Sequence, residues 1–182
     1  KNTDAIKGLG LIYLNIKEYG KAIFEFEKIK EKESNIEIQE FLVDAYFNAG
    51  KISESKIILE NLLNNDVKKQ KYYYLSGIIN EKSGDIKRSV EFFKQAAGWE
   101  DGDSEIYFVS GNKLMNADLL DDAEIAFNKS IRLTPRVKEP RMNLALVYIK
   151  KRNYKRALET YLNLLKIHPS DKNVKRNIAA LY

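Results

Sequence analysis

The stretch Asn143-Leu144-Ala145-Leu146-Val147-Tyr148, followed by Ala157, Tyr161, Leu164 and Pro169, decides the fold. Leu144, Ala145 and Tyr148 lie at i, i+1 and i+4, which places them on one side of a helix. The same order recurs 34 residues earlier as Ser110, Gly111, Leu114, Ala123, Phe127, Ser130 and Pro135. A further 34 back stand Ser76, Gly77, Asn80, Ser89, Phe93, Ala96 and Asp101. The next step of 34 meets Leu42, Val43, Tyr46, Ser55, Leu59, Leu62 and Val67. A last step of 33 meets Leu9, Gly10, Tyr13, Ala22, Phe26, Ile29 and Ser34. Going forward, Ile178, Ala179 and Tyr182 open another unit. A fixed period of this length marks an array of stacked supersecondary units.

Each unit holds two stretches with the apolar spacing of a helix. Gly50 and Gly84 break the two stretches apart, because glycine accepts the left-handed backbone of a helix C-cap. Pro135 and Pro169 close second helices, since proline has no N–H to continue them. Small residues recur in pairs: Gly10 with Ala22, Gly77 with Ser89, Gly111 with Ala123, Ala145 with Ala157. Such pairs let two helix backbones approach closely, and the aromatics beside them fill the remaining space. One helical pair cannot bury its apolar face alone, so neighbouring pairs must stack.

The period and the small/aromatic order resemble the tetratricopeptide repeat (TPR) family over nearly all of the chain. Five full repeats run 3–35, 36–69, 70–103, 104–137 and 138–171, with a partial sixth over 172–182. The match is imperfect: Ser76 and Ser110 replace a Leu-like residue, the first repeat lacks its closing Pro, and no repeat has the family's Trp at its fourth position. The resemblance implies an all-α, right-handed superhelical solenoid of helix-turn-helix repeats, forming a single domain over 1–182. It implies a non-enzymatic scaffold or adaptor that binds another protein, as a peptide or amphipathic helix, and needs no cofactor or metal. In the family the first helix of each pair lines a concave groove. The corresponding positions here include Phe41, Asp44, Phe47, Tyr74, Leu75, Ile78, Phe108, Val109, Asn112, Met115, Met142, Asn143, Leu146 and Asn177. Their apolar members would form one stripe, and methionines and aromatics suit an adaptable peptide site. Packing between neighbouring helices would account for part of the same stripe. The family's carboxylate clamp is rejected: Asn112 and Asn143 match it, but Phe108, Asn173 and Asn177 stand where its cations belong. Asn112, Asn143 and Asn177 remain able to bond a peptide backbone or to bond one another.

Composition narrows the remaining classes. The 182 residues are 44% hydrophobic and 31% charged, too apolar for a disordered chain. With Cys absent and one His, His168, disulfide scaffolds and the usual His- or Cys-centred metal sites drop out. The net charge of +5 is uneven: residues 138–182 carry 11 basic and 3 acidic residues, while the remainder is slightly acidic. Lys150, Lys151, Arg152, Lys155 and Arg156 surround Tyr154, and Lys175 and Arg176 add to them. Such a patch suits an acidic protein, an anionic surface or a phosphate backbone, and equally a solvated turn. Confinement to one end disfavours a nucleic-acid surface along the whole chain.

No run of 18 apolar residues occurs, so no membrane-spanning segment is expected. A start at Lys1 fits an excised or mature segment, and the compartment stays open between the cytoplasm and, with a signal removed, the periplasm for a soluble protein. Ile178, Ala179, Leu181 and Tyr182 would bare the apolar face of an unpaired helix and favour self-association. Trp99 falls where later repeats carry Leu133 and Ile167, which suggests core packing. The acidic run Glu100 to Glu105 lacks calcium-loop spacing and reads as a loop with a helix cap at Asp103 or Ser104. No nucleophile elbow, phosphate loop or dinucleotide fingerprint is present, so catalysis is not expected.

Overall fold

Eleven helices in the described residues, 3–29 and 34–181 of a computed structural model, follow the period of the sequence. The pairs are α1 (Thr3–Asn15) with α2 (Tyr19–Phe26), α3 (Ile36–Asn48) with α4 (Ile52–Asn64), and α5 (Gln70–Lys82) with α6 (Ile86–Gly98). They continue as α7 (Ser104–Asn116) with α8 (Leu120–Leu133) and α9 (Glu139–Lys150) with α10 (Tyr154–Ile167), and α11 (Lys172–Ala179) stands last. The described residues contain no strand. By packing the chain divides into two compact units, Lys1–Tyr72 and Tyr73–Tyr182, and the division falls inside α5.

One left-handed residue per repeat turns each pair. Lys17, Gly50, Gly84, Asp118 and Arg152 have φ of 62°, 75°, 81°, 61° and 57°. The amide after each of them bonds back five residues, to the carbonyls of Tyr13, Tyr46, Asn80, Leu114 and Tyr148, at 2.8–2.9 Å. This is the Schellman closure of a helix. Gly50 and Gly84 adopt it freely, whereas Lys17, Asp118 and Arg152 adopt it against a Cβ clash worth about 1–2 kcal/mol. Arg152→Gly should therefore stabilise the protein by roughly 0.5–1 kcal/mol, after allowance for the extra freedom glycine gives the unfolded chain. A denaturant midpoint that falls instead would refute this account.

Second helices begin on side-chain caps where the sequence supplies them. Asp85 accepts from the Arg88 amide and Asn153 from the Arg156 amide. Asp103, rather than Ser104, caps α7 by accepting from the amides of Glu105 and Ile106.

In three repeats the helical crossing is keyed by a glycine and a ring. A Cβ added at Gly10, Gly77 or Gly111 would fall 2.5, 2.9 or 2.8 Å from the ring of Phe26, Phe93 or Phe127 respectively. The ring occupies the volume a side chain would need. In the other two repeats the same positions hold Val43 with Leu59 and Ala145 with Tyr161, all buried. As the first residue grows from Gly to Val, its partner shrinks from ring to Leu.

In the first unit the core joins Ala22, Ile23, Phe26 and Ile29 to Ile38, Leu42 and Ala45. In the second, Phe93, Leu114, Phe127, Leu144 and Val147 form one cluster, and Ala145, Tyr161, Leu164 and Val174 another. Burying the Val, Leu, Ile and Phe side chains among these contributes roughly 1.5–3 kcal/mol each, which offsets the ordering of the chain.

Candidate partner-binding groove

The first unit contributes Phe41, Asp44 and Phe47, all on α3 and all half-buried. Phe41 stacks on Phe26 at 5.4 Å between ring centres. Asp44 is held by Lys71 at 2.5 Å. Glu37 bonds Lys7 at 2.5 Å, and Glu40 is held closely by Lys69 and Tyr72. The carboxyl of Glu40 is lowered: burial acts to raise it, but the bonds from Lys69 and Tyr72 outweigh that. The exposed face of α3 is thus a column of neutralised acids beside two partly covered rings.

The second unit contributes Tyr74 and Ile78 on α5, Phe108, Asn112 and Met115 on α7, Met142, Asn143 and Leu146 on α9, and Asn177 on α11. Tyr74, Phe108 and Met142 are half-buried. Tyr74 lies edge-on to Phe93 at 6.3 Å and Phe108 tilts against Phe127 at 6.2 Å. One side of each ring is therefore core and the other faces out. Leu146 is 40% exposed. Leu75 is 5% exposed and belongs to the core, which corrects its place in the expected stripe. Its helix turns it inward while Tyr74 and Ile78 stay at the surface.

The three amides do not act as one ladder. Asn143 donates to Asn112 at 2.6 Å, while Asn177 donates to the Tyr161 hydroxyl at 3.4 Å. Beside Phe108 lies a cleft of about 430 Å³ lined by Asp103, Glu105, Val137, Glu139 and Pro140 among others. Val137, 43% exposed, was not a sequence candidate. Its signal was an apolar residue after the repeat-ending Pro135, where the chain should already be polar.

The basic end is less bare than its net charge suggests. Lys150 pairs with Asp118 at 3.5 Å, Lys151 with Asp121 and Glu124 at 2.6 Å, and Arg156 with Glu124 at 3.3 Å. Three members of the expected patch thus lie against acids of the preceding repeat. Arg152 occupies the left-handed turn, Arg176 bonds Asn173, and Lys155 and Lys175 are exposed. The partners follow a rule: Lys113 with Glu81 and Lys138 with Asp171 also join charges about one period apart.

The expectation of a bare apolar face on α11 is corrected. Val174 is buried, and Ile178 and Leu181 pack onto the cluster of Tyr161 and Leu164. Lys172, Lys175 and Arg176 point outward, and Ala179 is exposed. An amphipathic last helix closes the core and presents charge to water; Tyr182 lies outside the described residues. Trp99 is half-buried against Tyr73 at 5.8 Å, while Leu133 and Ile167 are 46% and 39% exposed. Their shared position is a repeat edge rather than a core site.

Three tyrosine hydroxyls donate to carboxylates: Tyr46 to Glu27, Tyr72 to Glu40 and Tyr148 to Glu124. Burial, then the carboxylate, pushes all three phenols up, Tyr46 to about 12. An unfolded tyrosine ionises near 10. The folded state then holds more protons, so this stability is complete below about pH 10 and is lost as pH rises through about 12 for Tyr46. Tyrosinate absorbance should lag its unfolded titration and appear together with loss of helix. A titration matching that of the unfolded chain would contradict the assignment.

Against known proteins, the tetratricopeptide repeat model matches residues 70–103 and 139–171. The chain carries tetratricopeptide repeats. This TPR chain superposes on a crystal structure of MamA with a TM-score of 0.74 at 18% identity, covering 92% of each chain. It superposes on YrrB, described as a TPR protein with an unusual peptide-binding site, with a TM-score of 0.70 at 20% identity, covering 94% of this chain and 89% of that one. In sequence it is 23% identical over 183 residues to the human (Homo sapiens) protein O-mannosyl-transferase TMTC1, spanning 98% of this chain and 21% of that protein. The mouse (Mus musculus) protein is 26% identical over 136 residues, spanning 72% of this chain and 14% of that protein. The TPR chain thus spans about a fifth or less of the length of these relatives. The fold is the TPR solenoid, and no helix among the described residues is long and apolar enough to cross a membrane.

Proposed function

We propose that this TPR chain is a non-enzymatic scaffold, one domain over 1–182, that binds a partner peptide or amphipathic helix along α5, α7 and α9. The observation that carries the reading is the column of partly exposed apolar groups on those three helices, from Tyr74 and Ile78 through Phe108 and Met115 to Met142 and Leu146. A surface of this kind favours an apolar ligand. Asp103, Glu105 and Glu139 at the cleft beside Phe108 favour a basic residue next to the ligand's apolar anchor. The peptide-binding site of YrrB, a structure of the same fold, supports the class of ligand.

Leu146 tests the reading, because it is exposed enough to change without loss of fold. Peptides selected from a displayed library on the unaltered protein should bind Leu146→Glu at least about tenfold more weakly, the effect of losing one anchor. They should bind Lys155→Glu unchanged. Equal binding to Leu146→Glu would overturn the groove. Contact of the basic end with an anionic surface is the competing reading, and salt separates the two. Phosphate contacts weaken steeply with added salt, whereas apolar anchoring barely responds. The pairing of Lys150, Lys151 and Arg156 with acids supports the groove over the basic end.

A further inference from the structure

A cleft of about 600 Å³ opens where the end of α2 meets α3 and α4. Leu42, Ile57 and Ile58 give it apolar walls, and Ile57 is 67% exposed. Glu27, Glu54 and Tyr46 line the same cleft. The Tyr46 hydroxyl donates to Glu27 at 2.9 Å. Burial, then Glu27, then Glu54 raise that phenol, so both carboxylates act on one hydroxyl. Lys51 lies over the Tyr46 ring at 5.8 Å, and the described residues show no ion pair from it to Glu54.

Later repeats fill the same two places differently, and they name the occupant. Where the third repeat meets the fourth, the places of Glu27 and Glu54 hold Lys94 and Asp122, paired at 3.7 Å. Where the fourth meets the fifth, they hold Asn128 and Arg156. There Tyr148, at the place of Tyr46, donates to Glu124 at 2.9 Å. The Arg156 guanidinium lies over the Tyr148 ring at 5.6 Å and bonds the same carboxylate at 3.3 Å. The fifth repeat thus carries the tyrosine–carboxylate joint with an arginine of the chain seated on it. The second repeat carries the joint, a second carboxylate where that arginine is rooted, and open space. We propose that this cleft takes an arginine side chain of a partner protein, its guanidinium held by Glu27 and Glu54 and an apolar neighbour resting on Ile57. Arginine is favoured over lysine because its planar fork can bond two carboxylates at once and lie against an aromatic ring. None of these residues belongs to the groove along α5, α7 and α9.

The probe is the tripeptide acetyl-Leu-Arg-Leu-amide, titrated into the full 182-residue chain and followed by NMR. Resonances of Tyr46, Glu54 and Ile57 should shift. The same peptide with citrulline, the uncharged isostere of arginine, should bind at least about tenfold more weakly. The arginine peptide should lose as much on Glu54→Gln, an exposed position that tolerates the change. It should bind Glu60→Gln, an exposed acid of α4 outside the cleft, as it binds the unaltered chain. Glu54→Arg should seat the chain's own guanidinium on the joint, as Arg156 is seated in the fifth repeat. That variant should no longer bind the peptide and should melt roughly 2–4 °C higher at low salt. Any one of these results would overturn the proposal: no shift at the three residues with millimolar peptide, shifts confined to Phe108 and Met142 of the groove, equal binding of the citrulline peptide, unchanged binding to Glu54→Gln, or a Glu54→Arg chain that still binds or melts no higher.

Discussion

Gly111→Val is expected to destabilise the protein by about 3 kcal/mol or more, the upper range for overpacking a core. For a chain of this length that lowers the melting temperature by roughly 6–12 °C. A Cβ at this position already falls 2.8 Å from the Phe127 ring, and valine adds two methyl groups behind it. Phe127 is fully buried within the cluster of Leu114, Ala123 and Leu144, so the ring has nowhere to retreat. The second repeat supplies the cure, because Val43 and Leu59 occupy these places there. Adding Phe127→Leu to Gly111→Val should therefore recover a substantial part of the loss, although Phe127→Leu alone destabilises. Thermal melts of the four proteins give the coupling directly. Simple additivity would show that the two residues do not form one joint.

The second large effect is expected at the connection between α6 and α7. The Lys129 ammonium stands 3.0, 2.9 and 2.5 Å from the carbonyl oxygens of Ala97, Gly98 and Trp99. It closes the carboxyl end of α6 with the charge that end favours. Burial holds its pKa below the ordinary lysine value, and it lies over the ring of Tyr107 at 5.3 Å. The Tyr107 hydroxyl donates to the Trp99 carbonyl at 2.6 Å and accepts from the Gly102 amide at 2.9 Å. Lys129→Met leaves carbonyls without their charged donor and should cost about 1.5–3 kcal/mol. Tyr107→Phe should cost about 1–3 kcal/mol for the same reason. Hydrogen exchange should show the end of α6 and the start of α7 opening first in both. Uniform protection across both helices would mean that the connection is held by something else.

The repeat was legible in the sequence because a stacked fold writes the same contact many times. Four copies of the small/ring pair, with Val43 and Leu59 in the same places of the second repeat, carry what Gly10 and Phe26 alone would not. The turns were legible only where glycine marks them. Lys17, Asp118 and Arg152 take the same left-handed backbone, held there by the closing bond to the helix behind them, and their residue types give no sign of it. Among the groove candidates, alternation along a helix could not separate Leu75 from Tyr74, since neighbours on a helix differ by a rotation that only packing fixes. The charge of the last repeats misled in another way. Counting within a segment hides partners that stand about thirty residues earlier, and Lys151 with Glu124 is such a pair. The readable sign was opposite charge one period away.

That ladder of pairs bears on how the protein yields under load. Lys7 with Glu37, Lys71 with Asp44, Lys113 with Glu81 and Lys151 with Glu124 tie side chains about one repeat apart. Each tie is at least partly open to solvent and contributes about 1 kcal/mol or less, too little to decide whether the chain folds. Acting together they resist the small sliding and twisting by which a stack of helices bends. Dissolved salt weakens them, since charges are screened over about 8 Å at physiological ionic strength. Ionic strength thus tunes the springiness of each unit while leaving its core untouched.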